Sequence, residues 1–217
     1  MCIRDRHVTV VAKFKIIGEQ QSSTTSVTTE TKSNSITDTR DGKTYITVKI
    51  GTQTWMAENL NYNTNSGSWC YENNTSNCTK YGRLYDWETA KKVCPSGWHL
   101  PSDDEWKKLE MFLGMSKTDA DNTGWRGTEE GKKLKSTSGW NSSGNGTDAY
   151  GFTALPGGYR SYDETFDDVG SHGYWWSSSE YGTAVAYYRY MRYSYSGVYR
   201  SPNDKTYGFS VRCVRDL

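Results

Sequence analysis

Four cysteines, Cys70, Cys78, Cys94 and Cys213, constrain this chain more than any other feature of it. Four cysteines allow three pairings. The chain favours Cys70 with Cys78, closing the short loop WCYENNTSNC, and Cys94 with Cys213, tying the helical part to the last strand. In the chain-entropy treatment the long closure is worth roughly 4–5 kcal/mol and the short one roughly 2–3 kcal/mol. The alternative is four free, buried thiols in a cytosolic protein. The spacings fit no zinc pattern, so two disulfides and an oxidising compartment are expected. A fifth cysteine, Cys2, lies in an opening, MCIRDR, that resembles translated sequencing-adapter text. The natural start, with any export signal, is therefore expected upstream.

Composition narrows the core. Hydrophobic residues make up only 34% of the 217, yet aromatics reach 14%, with 9 Trp and 17 Tyr. A core built of large rings rather than of Leu and Ile follows. The formal net charge of +1 supplies no global field for nucleic acid or an anionic membrane. No run of eighteen apolar residues encodes a membrane span. HVTVVAKFKII (7–17) is interrupted by Lys13 and Lys15, and no small-residue cleavage site follows it.

Three regions are expected. Residues 1–17 read as an upstream remnant or an artefactual start. Residues 18–40, nearly all Ser, Thr, Glu, Asn and Gln, cannot bury enough apolar surface to offset ordering and read as a flexible Ser/Thr-rich linker. Residues 41–217 form the folded domain. It opens with a hairpin: Ile46, Val48 and Ile50 alternate with Tyr45, Thr47 and Lys49, and Gly51-Thr52 suits a type II′ turn. In RLYDWETAKKVC, Asp86 caps a helix whose Trp87, Ala90 and Cys94 share a stripe.

CPSGWHLPSDDEW (94–106) holds a histidine and three acids, which invites a catalytic or metal reading. Helix initiation accounts for the acids. Ser102 and Glu105 form a capping box, Asp103 and Asp104 sit in the first turn, and Trp106, Leu109 and Leu113 share a face. His99 has no second histidine near it in sequence and reads as a satisfied core or boundary imidazole. Residues 115–173 are expected to be long loops with scattered short elements. From 173 onward the chain alternates like strand. Ala184, Ala186, Tyr188 and Tyr190 lie on one face, Gly197 offers a turn, and Phe209, Val211 and Cys213 share a face.

WCYENN, YGRLYDWETAKKVCPSGWHLPSDDEW, WWSSSE and GFSVRCVRD, in that order, resemble the Fibrobacter succinogenes major paralogous domain family over about 41–217. That family looks related to the formylglycine-generating-enzyme type of C-type lectin-like fold. The resemblance implies an α+β domain with small antiparallel sheets, two helices, long loops, and termini that meet in one sheet. It implies a disulfide from the first helix's end to the last strand, in agreement with Cys94 and Cys213. It also implies a bacterial, exported chain, extracellular or at the cell surface, often a lipoprotein. Any membrane contact is then expected only through an N-terminal lipid anchor upstream.

No enzyme is expected. Formylglycine-generating enzymes bind copper through a late cysteine pair, and the corresponding stretch 187–205 has none. Nor is there a G-x-S-x-G elbow, a P-loop or an H-E-x-x-H helix. No metal or other cofactor is expected. Ser201-Pro202-Asn203-Asp204 only partly echoes a calcium-lectin triplet, and Asp163, Glu164, Asp167 and Asp168 read as a solvated loop.

Recognition chemistry is present instead. Nine of the 17 tyrosines lie between 174 and 207, interleaved with Ser and Arg. Tyr offers large contact area at low rotamer cost and a hydroxyl that donates and accepts. The expected ligand-binding residues are Tyr181, Tyr187, Tyr188, Arg189, Tyr190, Arg192, Tyr193, Tyr195 and Tyr199, and the expected partner is a glycan or protein. Variable proteins of diversity-generating retroelements use the same lectin-like fold, and the Tyr/Ser/Asn content of 181–204 is similar to their diversified segments. A module for display or assembly without a small ligand is the alternative.

Overall fold

The protein, seen as a computed structural model, is described for residues 34–216. The readings for 1–17 and for 18–33 lie outside these residues. The last part of the expected linker is not linker. Ser35–Thr37 forms strand β1, paired antiparallel with β2 (Thr44–Ile50) in the register Ile36 opposite Tyr45. The ordered domain thus begins before Asp41. The Asp38 side chain closes the connection by accepting from Arg40, whose guanidinium also donates to the Val93 carbonyl.

The hairpin from β2 to β3 (Gln53–Met56) forms as its sequence dictates. Gly51 has φ 61° and Thr52 does not share a positive φ, as a II′ turn requires. The facing is partly reversed. Tyr45 and Thr47 are buried, while Ile46 is 56% exposed. The cause is that β2 is covered on both faces. Tyr45 packs into one core cluster and Ile50 into the other. Single-sided alternation was the wrong template for it.

After β4 (Ser68–Trp69) comes a helix the residue pattern did not announce, α1 (Thr75–Tyr81). The Asn74 side chain accepts from the Ser76 amide at its start, and Gly82 ends it at φ 78°. Cys78, within α1, is bonded to Cys70. Then β5 (Leu84–Tyr85) leads into α2 (Trp87–Val93), which Asp86 caps by accepting from the Thr89 amide. Cys94 ends α2 and is bonded to Cys213, 119 residues on. Both expected disulfides are present.

The capping box opens α3 (Asp103–Phe112). Ser102 accepts from the Glu105 amide at 3.2 Å, and the Glu105 carboxylate accepts from the Ser102 amide at 2.7 Å. The other carboxylate oxygen lies 2.6 Å from His99 Nε2. His99 is thus satisfied, in a bridge to Val214, but its side chain is 48% exposed and lies at the surface rather than in the core or at its boundary. Ser102→Ala is expected to cost about 1 kcal/mol of unfolding free energy, the usual worth of such a cap. Urea unfolding measures it, and an unchanged midpoint would show the cap to be idle.

The region 115–173 is, as expected, mostly loop with scattered short elements. It holds α4 (Lys117–Asp121), β6 (Gly124–Arg126), α5 (Glu130–Leu134), β7 (Gly157–Arg160) and β8 (Phe166–Val169). None exceeds five residues, too short to carry a periodic signal. Caps and packing specify them, as when Ser116 caps α4. The expectation of two helices therefore holds only for α2 and α3.

The remaining strands are β9 (His172–Glu180), β10 (Val185–Arg192), β11 (Val198–Asp204), β12 (Phe209–Ser210) and β13 (Val214–Asp216). The principal sheet is nine-stranded, larger than expected, with the path β4-β5-β12-β9-β10-β11-β6, β7 attached at β9 and β8 paired to β7. It is mixed: β12 and β7 both run parallel to β9. The second sheet, β1-β2-β3-β13, joins the chain's first and last described strands. The terminal segment therefore serves both sheets, since β12 and β13 part at Val211 to Cys213, all fully buried.

Two ring-rich core clusters meet across β9 and β10. Tyr188, Trp176 and Phe209 belong to one, and Trp106, Trp175 and Met191 to the other. Buried indoles keep their N–H groups bonded: Trp87 donates to Ser177, Trp176 to Tyr85 and Trp175 to Asn59. Trp55 Nε1 finds no partner among the described residues. Buried Arg212 spans from the Asn59 carboxamide oxygen to the Met56, Phe152 and Thr153 carbonyls, and burial presses its pKa down to about 9.

Candidate ligand-binding cleft

The outer face of β9, β10 and β11 carries the candidate site. Period-2 alternation sends Ala186, Tyr188, Tyr190 and Arg192 to one side of β10, and Tyr187, Arg189 and Met191 to the other. Register then aligns the rings. Tyr190 lies opposite Tyr174 of β9 and opposite Tyr199 of β11. These three, with Tyr188, Tyr159 and Tyr207, line a cleft of about 330 Å³. Phe209 forms its floor against Tyr188, at 5.0 Å between ring centroids, and Asn203 its rim.

The cleft lining holds no charged side chain. Burial raises the pKa of the Tyr159, Tyr174, Tyr188 and Tyr190 phenols, so they stay protonated over the physiological range. Tyr174 donates its hydroxyl to Asp168 Oδ2 at 2.7 Å, and His172 Nδ1 lies 3.1 Å from Asp168 Oδ1. Among the described residues the hydroxyls of Tyr159, Tyr188, Tyr190, Tyr199 and Tyr207 have no side-chain or backbone hydrogen-bond partner. They are free to bond a ligand. A second cavity, of about 320 Å³ beside α1, is lined by Lys43, Glu58 and Lys80 and lacks such a convergence of rings.

The expected site residues divide. Tyr188, Tyr190 and Tyr199 line the cleft. Tyr195, in the turn after β10, stacks on Trp125 of β6 at 4.3 Å, and Arg192 lies within 5.9 Å of the Tyr195 ring. Tyr193 packs instead against the second core cluster, and its carbonyl, like those of Arg192 and Tyr195, accepts from the buried Lys135 amine. Tyr187 lies on the opposite face, under the Arg200 guanidinium at 4.2 Å. Tyr181, 61% exposed at the β9–β10 turn, packs edge-on against Tyr187 and away from the cleft.

Arg189 is a correction. It is fully buried, donating to Glu110 Oε1 at 2.7 Å and to Asp103 Oδ1 at 2.8 Å. Arg200 grips both Asp103 oxygens at 2.8 Å, and Arg126 grips both Glu110 oxygens at 2.8 Å. Three guanidiniums and two carboxylates thus weld α3 to β10, β11 and β6. Helix initiation was only half the account of Asp103. Its side chain is also the anchor for two strands.

Sequence reasoning missed Tyr159, Trp125 and Asn203 as site residues. Tyr174 and Tyr207 lay inside the tyrosine-rich segment but outside the chosen set. Period-2 reading from Tyr174 to Trp176 could have placed Tyr174. Nothing local could have brought in Tyr159 or Trp125, which reach the face through pairing with β9 and β11. The acidic run is dispersed: Asp163 accepts from Thr165, while Asp168 turns to Tyr174 and His172. Among the described residues no helix is long and apolar enough to cross a membrane.

Fold and site together define an α+β, doubly disulfide-bonded domain with an aromatic cleft on its main sheet. The chain belongs to the Fibrobacter succinogenes major domain family, whose model matches residues 48–215. No curated protein and no solved structure matches it.

Proposed function

We propose that this is an exported surface binding module of C-type lectin-like fold, which recognises a glycan or protein ligand at the tyrosine-lined cleft. One observation carries the reading: five phenol hydroxyls that have no hydrogen-bond partner among the described residues converge on an uncharged concavity of about 330 Å³. That is a volume within the range of ligand sites, with few charges and several oriented polar groups. The meeting of β1 and β13 in one sheet and the Cys94–Cys213 bond support the lectin-like assignment. The two disulfides suit an oxidising, extracellular setting. The reading assigns the protein no bond-making step.

Glycan-array and cell-surface capture with the whole chain test it, against a Tyr190→Ala/Tyr199→Ala variant. Both rings are partly exposed, so their loss should leave the thermal midpoint within a few degrees. Binding is expected to fall at least about tenfold, as for aromatic hot spots. Capture that survives the double substitution would move the site elsewhere. No capture by either protein would favour display or assembly without a small ligand.

A further inference from the structure

One ring stands on each of five neighbouring strands, in register. Tyr159 of β7 lies beside Tyr174 of β9, since Gly158 pairs with Gly173. Tyr174 lies opposite Tyr190 of β10, Tyr190 opposite Tyr199 of β11, and Tyr199 opposite Trp125 of β6. Successive ring centroids are 5.1, 5.2, 4.5 and 5.3 Å apart. Trp125 also lies 4.9 Å from Tyr190, so Tyr190, Tyr199 and Trp125 close into a triangle at that end of the row. The row is therefore shorter than four strand spacings, which would span about 19 Å. It runs past both ends of the cleft, to Tyr195 stacked on Trp125 and to Tyr162 beside Tyr207.

Cross-strand ring pairs stabilise sheets, but a purely structural row does not need the hydroxyls of Tyr159, Tyr190 and Tyr199 to be without partners among the described residues. A single sugar or a small aromatic molecule would use one or two rings, not five. A single-stranded nucleic acid stacks on such platforms, yet it also needs a basic groove along its backbone. The cleft lining carries no charge, and the charged groups nearest the row stand at its margins. Asp167 of β8 is opposite Tyr159, Asp168 is occupied by Tyr174, and Arg192 stands two residues beyond Tyr190 along β10. A neutral chain of pyranose rings matches this surface. Its apolar C–H faces rest on rings of similar size, and its hydroxyls meet the phenol hydroxyls.

We infer that the row of Tyr159, Tyr174, Tyr190, Tyr199 and Trp125 is an extended track for a linear, uncharged oligosaccharide of several sugar units lying across the strands. This rests on the recognition reading above and names its ligand class. Calorimetric titration of the whole chain tests it, with neutral linear hexaoses of glucose, xylose, mannose and galactose and the matching disaccharides. A hexagalacturonate and a proline-rich decapeptide complete the probes. At least one neutral hexaose is expected to bind, and its disaccharide at least tenfold more weakly. Trp125→Ala, at the far end of the row, is expected to weaken the hexaose several-fold more than the disaccharide. Tyr195→Ala, an exposed change at the same end, should act in the same direction and guards against misfolding of the first variant.

Equal affinity for hexaose and disaccharide would overturn the track while leaving recognition at the cleft intact. Hexagalacturonate binding as tightly as any neutral hexaose would overturn the neutral class. Binding of the peptide alone, lost in Tyr190→Ala/Tyr199→Ala, would replace the sugar with a protein ligand at the same cleft. No binding by any probe would overturn the sugar assignment, and the capture experiment would then judge recognition separately.

Discussion

Replacing Asp103 with alanine is expected to lower the unfolding free energy by about 3–5 kcal/mol, because removing one member of a buried ion cluster strands the others. Arg189, fully buried, and Arg200, nearly so, would each lose their Asp103 bonds, and Arg200 would keep only the Asp121 and Asn122 carbonyls. Glu110 would still hold Arg189 through Nε, but nothing would replace the carboxylate between β10 and β11. Urea unfolding at neutral pH measures the loss. A cost below about 1 kcal/mol, the size of a surface cap, would show that Asp103 does no more than start its helix.

The same carboxylate predicts a pH dependence. Burial opposes its ionisation, but the bonds and charges of Arg200 and Arg189 outweigh burial and hold its carboxyl well below the usual range. A folded-state pKa below the unfolded one adds stability that is full above the unfolded value, about 4 for Asp. That stability is lost as pH falls from there towards the folded value. Wild-type stability should therefore drop steeply below about pH 4, and the Asp103→Ala protein should drop less steeply. Parallel curves would mean that other carboxylates govern acid unfolding.

Removing the long disulfide should rival that effect. The Cys94→Ala/Cys213→Ala double variant is expected to lose about 4–5 kcal/mol, and Cys70→Ala/Cys78→Ala about 2–3 kcal/mol. The difference comes from loop length, 119 residues against 8. For a domain of this size each kcal/mol moves the thermal midpoint by about 2–4 °C. Calorimetry of the two double variants should therefore rank them clearly. A short-loop variant as damaged as the long-loop one would refute the closure-entropy account and point to packing around α1.

Much of the frame was legible because its signals are local. Asp86 and the Ser102–Glu105 box sit where caps must sit, and the Gly51-Thr52 turn needs only its own two residues. The short elements between 115 and 173 were not legible, since three to five residues show no period and their partners are distant. The site was half legible. Tyrosine density pointed to the right strands, but density does not say which face a strand presents. Tyr188 and Tyr190 differ from Tyr187 and Arg189 only by parity, and parity gains meaning once α3 covers one side.

The sequence by itself determined two disulfides, the two principal helices with their caps, a ring-built core and a tyrosine-dense final hairpin. Each rests on residue type or on neighbours a few positions apart, apart from the long disulfide, which counting left as one of three pairings and the family resemblance favoured. Only the tertiary structure decided that Tyr159, Tyr174, Tyr190, Tyr199 and Trp125 form one row and that Arg189 lies inside. Strand order sets those contacts, through pairings between segments far apart in the chain. A one-residue change of register would exchange the ring-bearing face for the buried one.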